Sequence, residues 1–293
     1  DLIKLSDAPV FDFWLNQNTK EVYYIDDRGR VFKAGEGPDT GVSLQEVGSL
    51  RSLFVSSDGG RVAAAFDDRE EPLWAIFDVI DGAWRPLPRG ILQANWGKNS
   101  SELIATVKNG GDVNLTAVDL SKNPVSYKIL VKDFRLKDVE FKWQAPERLI
   151  LRERPSASYG SRVWSFDLKN FSLHLLTAPE KGLVLDWSDN GDLVFKTNAE
   201  GEASVLDSGL QEIMPMPFSA LPLKCAGEGI KVFCFVPRDI PLKVSIPDDF
   251  YAGRFFTVDD VFSIDLATAR TRQLASSGAD GLPVLDGYKP RYL

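Results

Sequence analysis

Apolar and polar positions alternate in short runs along the whole chain, and no stretch carries an apolar stripe at helical spacing. Val, Ile, Phe, Tyr and Trp dominate the runs, and small polar turns interrupt them, as in β-hairpins. The pattern predicts an all-β protein built from a repeated hairpin. Six copies are visible: FDFWLNQNTKEVYYI, LFVSSDGGRVAAAF, QANWGKNSSELIATV, FKWQAPERLILR, VLDWSDNGDLVF and LKCAGEGIKVFCF.

The copies recur at a nearly constant spacing. A third run follows each hairpin in nearly every copy and ends in an apolar-Asp pair, as at Asp78 and Asp265, and a short fourth run closes the unit. Four strands in about 40–45 residues is the period of a β-propeller blade. We expect one large side chain of each hairpin to pack between neighbouring blades. Aligned on the last large residue before the turn, these are Trp14, Val55, Trp96, Trp143, Trp187 and Cys225, with spacings of 41, 41, 47, 44 and 38.

The spacing also predicts how the ring closes. Allowing for an insertion of about seventeen residues between Val236 and Phe255, a seventh equivalent is expected at Val284. We predict a single propeller domain over residues 1–293 with seven blades. The last blade would place Leu2–Leu5 beside Leu282–Leu285, which leaves no free seam. A six-bladed ring with a C-terminal tail is the alternative.

Two of the turns resemble those of a known family. SSDGGRVAAAF and WSDNGDLVF are similar to the units of TolB-type, WD-repeat-like propellers, whose consensus reads Ser-Pro-Asp-Gly before the second strand. The chain lacks that proline, and its third and fourth copies read Gly-Lys-Asn-Ser and Gln-Ala-Pro-Glu. The resemblance implies a propeller of the bacterial cell envelope that serves as a binding platform or accompanies another domain. It thus implies an extracytoplasmic location, in the periplasm or at the cell surface. The abrupt ends at Asp1 and Leu293 lead us to expect that the propeller is part of a longer chain.

Charge and hydropathy exclude several partners. The chain has 34 Lys and Arg against 42 Asp and Glu, a net charge of −8, whereas nucleic-acid binders usually present a concentrated basic face. No run approaches the roughly 18 apolar residues of a membrane span. We therefore expect a monomer with no nucleic-acid partner and no transmembrane segment in this chain; an anchor would lie outside it.

The usual catalytic motifs are missing from the sequence. The sole histidine, His174, lies in a predicted outer strand, and there is no G-x-S-x-G elbow or phosphate-binding loop. One histidine and two cysteines do not supply a zinc site, and the acidic loops 67–71 and 248–249 lack the alternating pattern of a calcium loop. We predict that the protein is not an enzyme and uses no metal or cofactor. A carboxylate- or calcium-dependent hydrolase of lactonase or sialidase type is the alternative.

Cys225 and Cys234 flank the hairpin turn of the sixth copy. With the turn at residues 226–229, both side chains point to one face of the sheet, about one diagonal apart. A bulge would bring the sulfur atoms within bonding distance. The pattern leaves two interpretations open, a disulfide or a pair of buried thiols.

Two long insertions are expected on the same face of the propeller, at residues 152–162 and 237–254. Long loops inside a compact domain are often functional, and Tyr, Phe and Arg anchor many interfaces. We predict that this face binds a protein or glycan, with packing of the loop over the channel as an equal alternative. A third hypothesis is a purely structural segment of a larger surface protein. The candidate binding residues are Arg152, Arg154, Tyr159, Arg162, Asp248, Asp249, Phe250, Tyr251 and Arg254.

Overall fold

The protein is described by a computed structural model over residues 6, 9–35, 37–67, 71–136, 139–145, 147–188 and 191–276. These residues form six four-stranded sheets, arranged as the blades of a β-propeller. In every blade the strands lie side by side in chain order and pair antiparallel. The predicted all-β propeller of four-stranded blades is confirmed.

Blades one to three account for the first half of the described chain, and each uses four consecutive strands. Their strands are β1 (Asp12–Leu15), β2 (Val22–Ile25), β3 (Val31–Ala34) and β4 (Thr40–Ser43); β5 (Leu50–Val55), β6 (Arg61–Phe66), β7 (Leu73–Asp78) and β8 (Ala83–Pro86); and β9 (Ile91–Trp96), β10 (Glu102–Asn109), β11 (Asp112–Asp119) and β12 (Ser126–Val131).

Blades four to six carry some additional short elements. Blade four comprises β13 (Val139–Ala145), β14 (Arg148–Glu153), β16 (Val163–Asp167) and β17 (Ser172–Leu175), with β15 (Gly160–Ser161) and β18 (Glu180–Lys181) paired outside the blade. Blades five and six comprise β19 (Val184–Trp187), β20 (Leu193–Thr197), β21 (Ala203–Asp207) and β22 (Glu212–Pro215), then β23 (Cys225–Glu228), β24 (Lys231–Pro237), β25 (Asp259–Asp265) and β26 (Arg270–Ala275). A 3-10 helix, Pro222–Lys224, precedes β23, and a four-residue helix, α1 (Asp248–Tyr251), follows β24.

The turn between β5 and β6 shows how the SSDGG sequence forms a tight turn in this fold. Ser56 donates its hydroxyl to Asp58 at 2.6 Å and accepts the backbone N–H of Arg61 at 2.9 Å, which satisfies the polar groups of the turn. Gly59 has a φ of 68°, and a Cβ there would lie 2.1 Å from the carbonyl oxygen of Leu15 in blade one. Glycine is therefore required both by the backbone conformation and by the close approach of the neighbouring blade.

Neighbouring blades pack face to face through apolar side chains. We call the face of a blade that meets the following blade its front face, and the opposite one its rear face. Five hydrophobic clusters join the front face of one blade to the rear face of the next, from blade one to blade six. Trp96 and Trp187 belong to two of these clusters and are buried, as expected of one large side chain in each hairpin.

The structure corrects the alignment of the first and last copies. Asn16 N–H donates to Glu21 O, just as Ser56 N–H donates to Arg61 O, so Leu15 rather than Trp14 is the equivalent of Val55. In blade six Gly227 pairs with Val232 as Val55 pairs with Val62, and Gly227 rather than Cys225 holds the position. Trp14 therefore faces blade two, and its size misled the alignment.

Blade six has no large side chain at this position because blade five lies too close. A Cβ on Gly227 would lie 2.8 Å from Leu193 and 3.1 Å from Phe195, both in β20. A Cβ contact tighter than 3.4 Å requires the neighbouring atoms to move, and a close-packed interior leaves them little room to do so. The junction between these blades is instead filled by the large side chains of blade five.

The described residues contain six blades, one for each visible copy, rather than the seven that the spacing favoured. The prediction of a seventh rests on the extrapolated spacing, on a partial hairpin in GLPVLDGYKPRYL and on a fourth-strand pattern in LIKLSDAP, without a complete seventh copy in the sequence. The segments assigned to it, Leu2–Leu5 and Leu282–Leu285, lie outside the described residues.

Candidate binding face

The blade-four insertion connects β14 to β16, and its first candidate residue points inwards. Arg152 donates to Glu140 at 2.8 Å and lies 3.4 Å from the carboxylate of Asp186, while its guanidinium also donates to Leu185 O. Only 14% of its side chain is exposed. Arg152 therefore lies in the junction between blades four and five.

The same junction contains a second cation. Lys142 on β13 donates to Asp186 Oδ1 at 3.2 Å and to Trp187 O at 2.8 Å. Burial alone would raise the pKa of Asp186, but the positive charges of Lys142 and Arg152 outweigh it and hold the pKa below its usual range. The cluster therefore contains two cations and two carboxylates, counting Glu140, and it joins the first strands of two blades.

The blade-six insertion buries its aromatic residues. Phe250 and Tyr251 on α1 pack with Val184 of β19 and with Leu221, and Phe250 is completely buried. The ammonium group of Lys224 lies 5.5 Å from the centre of the Phe250 ring. Phe250 and Tyr251 were predicted to bind a partner. They instead pack on blade five, because the apolar side of α1 faces the propeller.

A buried ion pair lies where the blade-six insertion joins its blade. Lys224 donates to Asp259 and to Thr257, and all three side chains are buried. Burial lowers the pKa of Lys224, while Asp259 beside it acts in the opposite direction. The pair connects the residue just before β23 with the start of β25. Asp259 also pairs in the sheet with Pro237, at the end of β24, so both ends of the insertion are held by the blade.

The two insertions are in direct contact, as the prediction that they share a face requires. The backbone N–H of Ala157 donates to Asp248 Oδ2 at 2.6 Å across a separation of 91 residues. The next carboxylate, Asp249, accepts the backbone N–H of Ser245 at 2.7 Å and pairs with Arg254 at 2.7 Å. These two contacts hold the pKa of Asp249 below its usual range.

The remaining candidate residues lie at the surface of this face. Arg154 and Arg162 are exposed, and Arg162 pairs loosely with Glu153. Tyr159 is 52% exposed and donates only a long hydrogen bond, 3.4 Å, to Arg154 O. The side chain of Arg254 is 66% exposed.

Sequence reasoning missed the apolar tip of the blade-six insertion. Ile240 is exposed, and Leu242 has no part of its side chain covered. Both residues flank Pro241 in a loop, and apolar residues beside a proline in a long insertion are the signal that was overlooked. We define the insertion face as the five exposed side chains Arg154, Tyr159, Arg162, Leu242 and Arg254.

Cys225 and Cys234 are joined by a disulfide. The two residues lie directly opposite each other in the pairing of β23 and β24, not one diagonal apart as the sequence suggested. The difference comes from the turn, which consists of Gly229 and Ile230, with Gly229 at a φ of 59°. Two-residue turns with a positive φ match the twist of antiparallel strands, so the shorter turn is preferred.

His174 lies on β17, the outer strand of blade four, where it is exposed and 2.9 Å from Ser172 Oγ. Within the described ranges no group of three or more His, Cys, Asp or Glu side chains is placed to hold a metal ion. None of the helices described has the length and apolar character of a membrane span.

No protein-family model matches the chain, and no curated protein matches it either. Solved structures do share its fold. A TolB protein from Acinetobacter baumannii superposes with a TM-score of 0.53 and 12% identity over 90% of this chain, which spans 63% of that TolB. An oligogalacturonate lyase from Vibrio parahaemolyticus gives a TM-score of 0.62 and 10% identity over 94% of this chain and 79% of that one.

A third structure comes from a bacterial surface protein. PorZ, a surface component of the type-IX secretion system of Porphyromonas gingivalis, gives a TM-score of 0.58 and 14% identity over 95% of this chain and 34% of PorZ. At such identities the comparisons show the fold alone. The chain is a β-propeller whose structural neighbours include TolB and other WD40-like propellers, as the SSDGG-type turns predicted.

Proposed function

We propose that the chain is a non-catalytic binding module that captures a protein or glycan partner through the insertion face. The observation that carries the proposal is the contact between the two insertions through Ala157 and Asp248. This contact holds an exposed tyrosine, a fully exposed leucine and three arginines on loops with a fixed base. Side chains of this kind anchor interfaces at a low entropic cost when the loops that carry them are held in place.

The charges of the insertion face favour a partner with acidic groups. Arg154, Arg162 and Arg254 contribute three cations, of which Arg162 and Arg254 each pair with one carboxylate. The rest of the chain is acidic, with a net charge of −8. Arginine side chains form paired hydrogen bonds with carboxylate or phosphate groups, so acidic groups of a partner would fit beside these guanidinium groups.

The proposed location is outside the cytoplasm, in the periplasm or at the cell surface. The bond between Cys225 and Cys234 supports this, because disulfides persist in oxidising compartments. The fold it shares with TolB and with PorZ, a bacterial surface component, agrees with an envelope protein. A role as a structural segment of a larger surface protein is compatible with the chain spanning 34% of PorZ.

The proposal is tested with a paired variant, Tyr159→Ala with Leu242→Ser. We expect the parent protein, immobilised and exposed to envelope extract and to a glycan array, to retain one ligand at least tenfold better than this variant does. Both side chains are exposed, so the melting temperature should change by less than about 1 °C.

Ile80→Ser provides the matched control for this variant. Ile80 is 91% exposed in a turn of blade two, away from both insertions, so its replacement should leave capture unchanged. Equal retention by the parent and by the paired variant would exclude the insertion face as the binding site.

A second candidate is a carboxylate- or calcium-dependent hydrolase of lactonase or sialidase type. One observation favours an enzymatic role, although of a different reaction class: a structure that shares the fold is an oligogalacturonate lyase. The candidate predicts that calcium raises the melting temperature by several degrees and that chelation reverses the shift. An unchanged melting temperature, with no turnover of lactone or glycoside substrates, would exclude it.

A further inference from the structure

The outer strand of blade four differs from the outer strands of the other described blades. Sheet edges are usually protected from pairing with a further strand by Lys or another charged residue, by proline or by a β-bulge. A register shift interrupts the pairing of β4, β12, β22 and β26, and β8 carries Arg85 and Pro86. By contrast β17, with the sequence SLHL, pairs with β16 without a shift. Among the six outer strands described, β17 alone lacks all three features.

The edge of β17 presents backbone hydrogen-bonding groups to the outside. Leu176, the residue after the strand, donates its backbone N–H to Val163 O at 2.8 Å, towards the blade. Backbone groups of an antiparallel strand alternate in direction, so the N–H and C=O groups of Leu173 and Leu175 point away from the blade. Their side chains are 45% and 53% exposed. A further strand can therefore pair with β17 through Leu173 and Leu175.

A cavity of about 480 Å³ lies beside this edge, between blades four and five. Its size is within the range of ligand pockets, about 300–1,000 Å³. Ile150, Ser165 and His174 lie opposite one another in blade four, and Ile150 packs against blade five, so this side of β17 faces the cavity. Four leucines form the apolar part of the lining: Leu176, Leu185, Leu206 and Leu210.

The cavity extends along the length of β17. Every blade repeats the same strand order, so the fourth strands of blades four and five both start at one end of the propeller, at Ser172 and Glu212. The second strand of a blade runs in the same direction as the fourth, which places Lys196, near the end of β20, at the other end with Leu176. Glu212 and Lys196 both line the cavity, so a strand paired with β17 would lie along it.

The charges of the cavity favour a basic ligand. Lys196 pairs with Glu180 at 2.7 Å, and Asn198 also donates to Glu180 at 3.1 Å. Glu212 lies opposite Leu206 in the pairing of β21 and β22, and it is exposed. The lining contains two glutamates and one lysine, which gives it one net negative charge, and Glu212 is the carboxylate at its exposed side.

We propose that β17 and this cavity bind an extended segment of a partner protein, which adds to blade four as a fifth strand. Backbone hydrogen bonds to Leu173 and Leu175 hold the segment, and its alternate side chains point towards blade five. One of these side chains is apolar and packs on the four leucines. Another, two residues along, is Lys or Arg and pairs with Glu212. A second copy of this chain fits less well, because its own β17 offers no such cation.

The test measures the binding of an end-blocked, rhodamine-labelled peptide, TLTKTLT, to the full chain by fluorescence anisotropy. Alternation with threonine places both leucines and the lysine on one side of an extended peptide, in either strand direction. We expect saturable binding to the parent. Leu175→Pro removes the outward N–H while it leaves the bonds to β16 in place, and it should weaken binding at least tenfold. Leu175→Thr keeps that N–H and is the matched control, which should bind as the parent does.

A charge exchange tests the role of the cavity. Glu212→Lys should weaken the binding of TLTKTLT at least tenfold and should bind the peptide TLTETLT in preference. Asp239→Lys makes the same change of charge on an exposed loop of blade six and should leave both affinities unchanged.

Three results would overturn the proposal. They are no saturable binding of TLTKTLT by the parent, equal binding by Leu175→Pro, and equal binding of both peptides by Glu212→Lys. Sedimentation of the parent as a dimer that Leu175→Pro abolishes would also overturn it, since a second copy would then occupy the edge.

Discussion

The junction between blades two and three differs in chemistry from the junction between blades four and five. The first is apolar in its interior: Trp96 packs with Ala65 and Trp74, and its indole donates to Phe54 O at 2.7 Å. The ion pair that crosses it, Lys108 with Glu71, lies at the surface, where 48% and 70% of the two side chains are exposed. The second adds to its apolar cluster the charges of Arg152 and Asp186, which cross from one blade to the other. The junctions of this propeller are therefore stabilised in two ways. Buried apolar area dominates between blades two and three, and buried charge pairs are added to it between blades four and five.

The two chemistries respond differently to substitution and to solvent. An apolar junction loses buried area and gains a cavity when a side chain is truncated, and it is insensitive to pH. A charged junction loses stability when one partner is removed, because the remaining charge stays desolvated. Three measurements sharpen this difference.

Trp96→Ala should have the largest effect. Trp96 is 6% exposed, and truncating a buried tryptophan costs about 3–5 kcal/mol. Urea unfolding should show this loss equally at pH 7 and pH 5. Trp84→Ala, at a half-buried position of blade two, should cost less; an equal or larger loss would contradict a dominant role for Trp96 in its junction.

Arg152→Ala should have the second largest effect, about 2 kcal/mol. Glu140 and Asp186 would lose the cation between them, while Lys142 would remain beside Asp186. The remaining cation and the partial exposure of the cluster reduce the penalty below that of a fully buried pair. Arg154→Ala, two residues along the chain and exposed, should leave the free energy of unfolding unchanged. The same loss for both variants would refute the assignment of Arg152 to the junction.

Acid should have the smallest effect, and only on the charged junction. The pKa of Asp186 is lowered in the folded protein. Its carboxylate therefore stabilises the fold above the unfolded pKa of about 3.9, and this contribution is lost as the pH falls through the folded pKa. Asp186→Asn should cost on the order of 1 kcal/mol at pH 7, and its difference from the parent should narrow below about pH 4.

Asp239→Asn, on an exposed loop, is the matched control for this measurement. Its difference from the parent should stay constant across the same pH range. A pH-independent cost of Asp186→Asn would show that the carboxylate acts through hydrogen-bond geometry alone.

The strands and the apolar junctions could be predicted because each depends on a local pattern. Alternation and spacing located the hairpin of Trp96 and the fourth strand that carries His174. The sequence alignment was wrong where the structure depends on other parts of the molecule. A glycine is needed at residue 227 because Phe195 of blade five lies close to it, and the two-residue turn at Gly229 and Ile230 is favoured by the twist of the strands. Neither constraint is visible in a single repeat.

The candidate binding face could be predicted only in part. The sequence located both insertions, but it treated every Arg and aromatic residue within them alike. Tyr159 and Arg254 are exposed, whereas Arg152 and Phe250 are buried in contacts with another blade. Which side of a loop faces the ring depends on packing over residues far away in sequence, such as Val184, and no local pattern contains that information.

Propellers are built by radial repetition of whole blades, typically four to eight in number. The hydrogen bond from Ala157 to Asp248 spans one such repeat, since it links an insertion of blade four to one of blade six. Deleting blade five would remove Val184, against which Phe250 packs, and would bring the insertions onto adjacent blades. The contact between the insertions therefore requires one blade between blades four and six, even if blades were gained or lost elsewhere in the propeller.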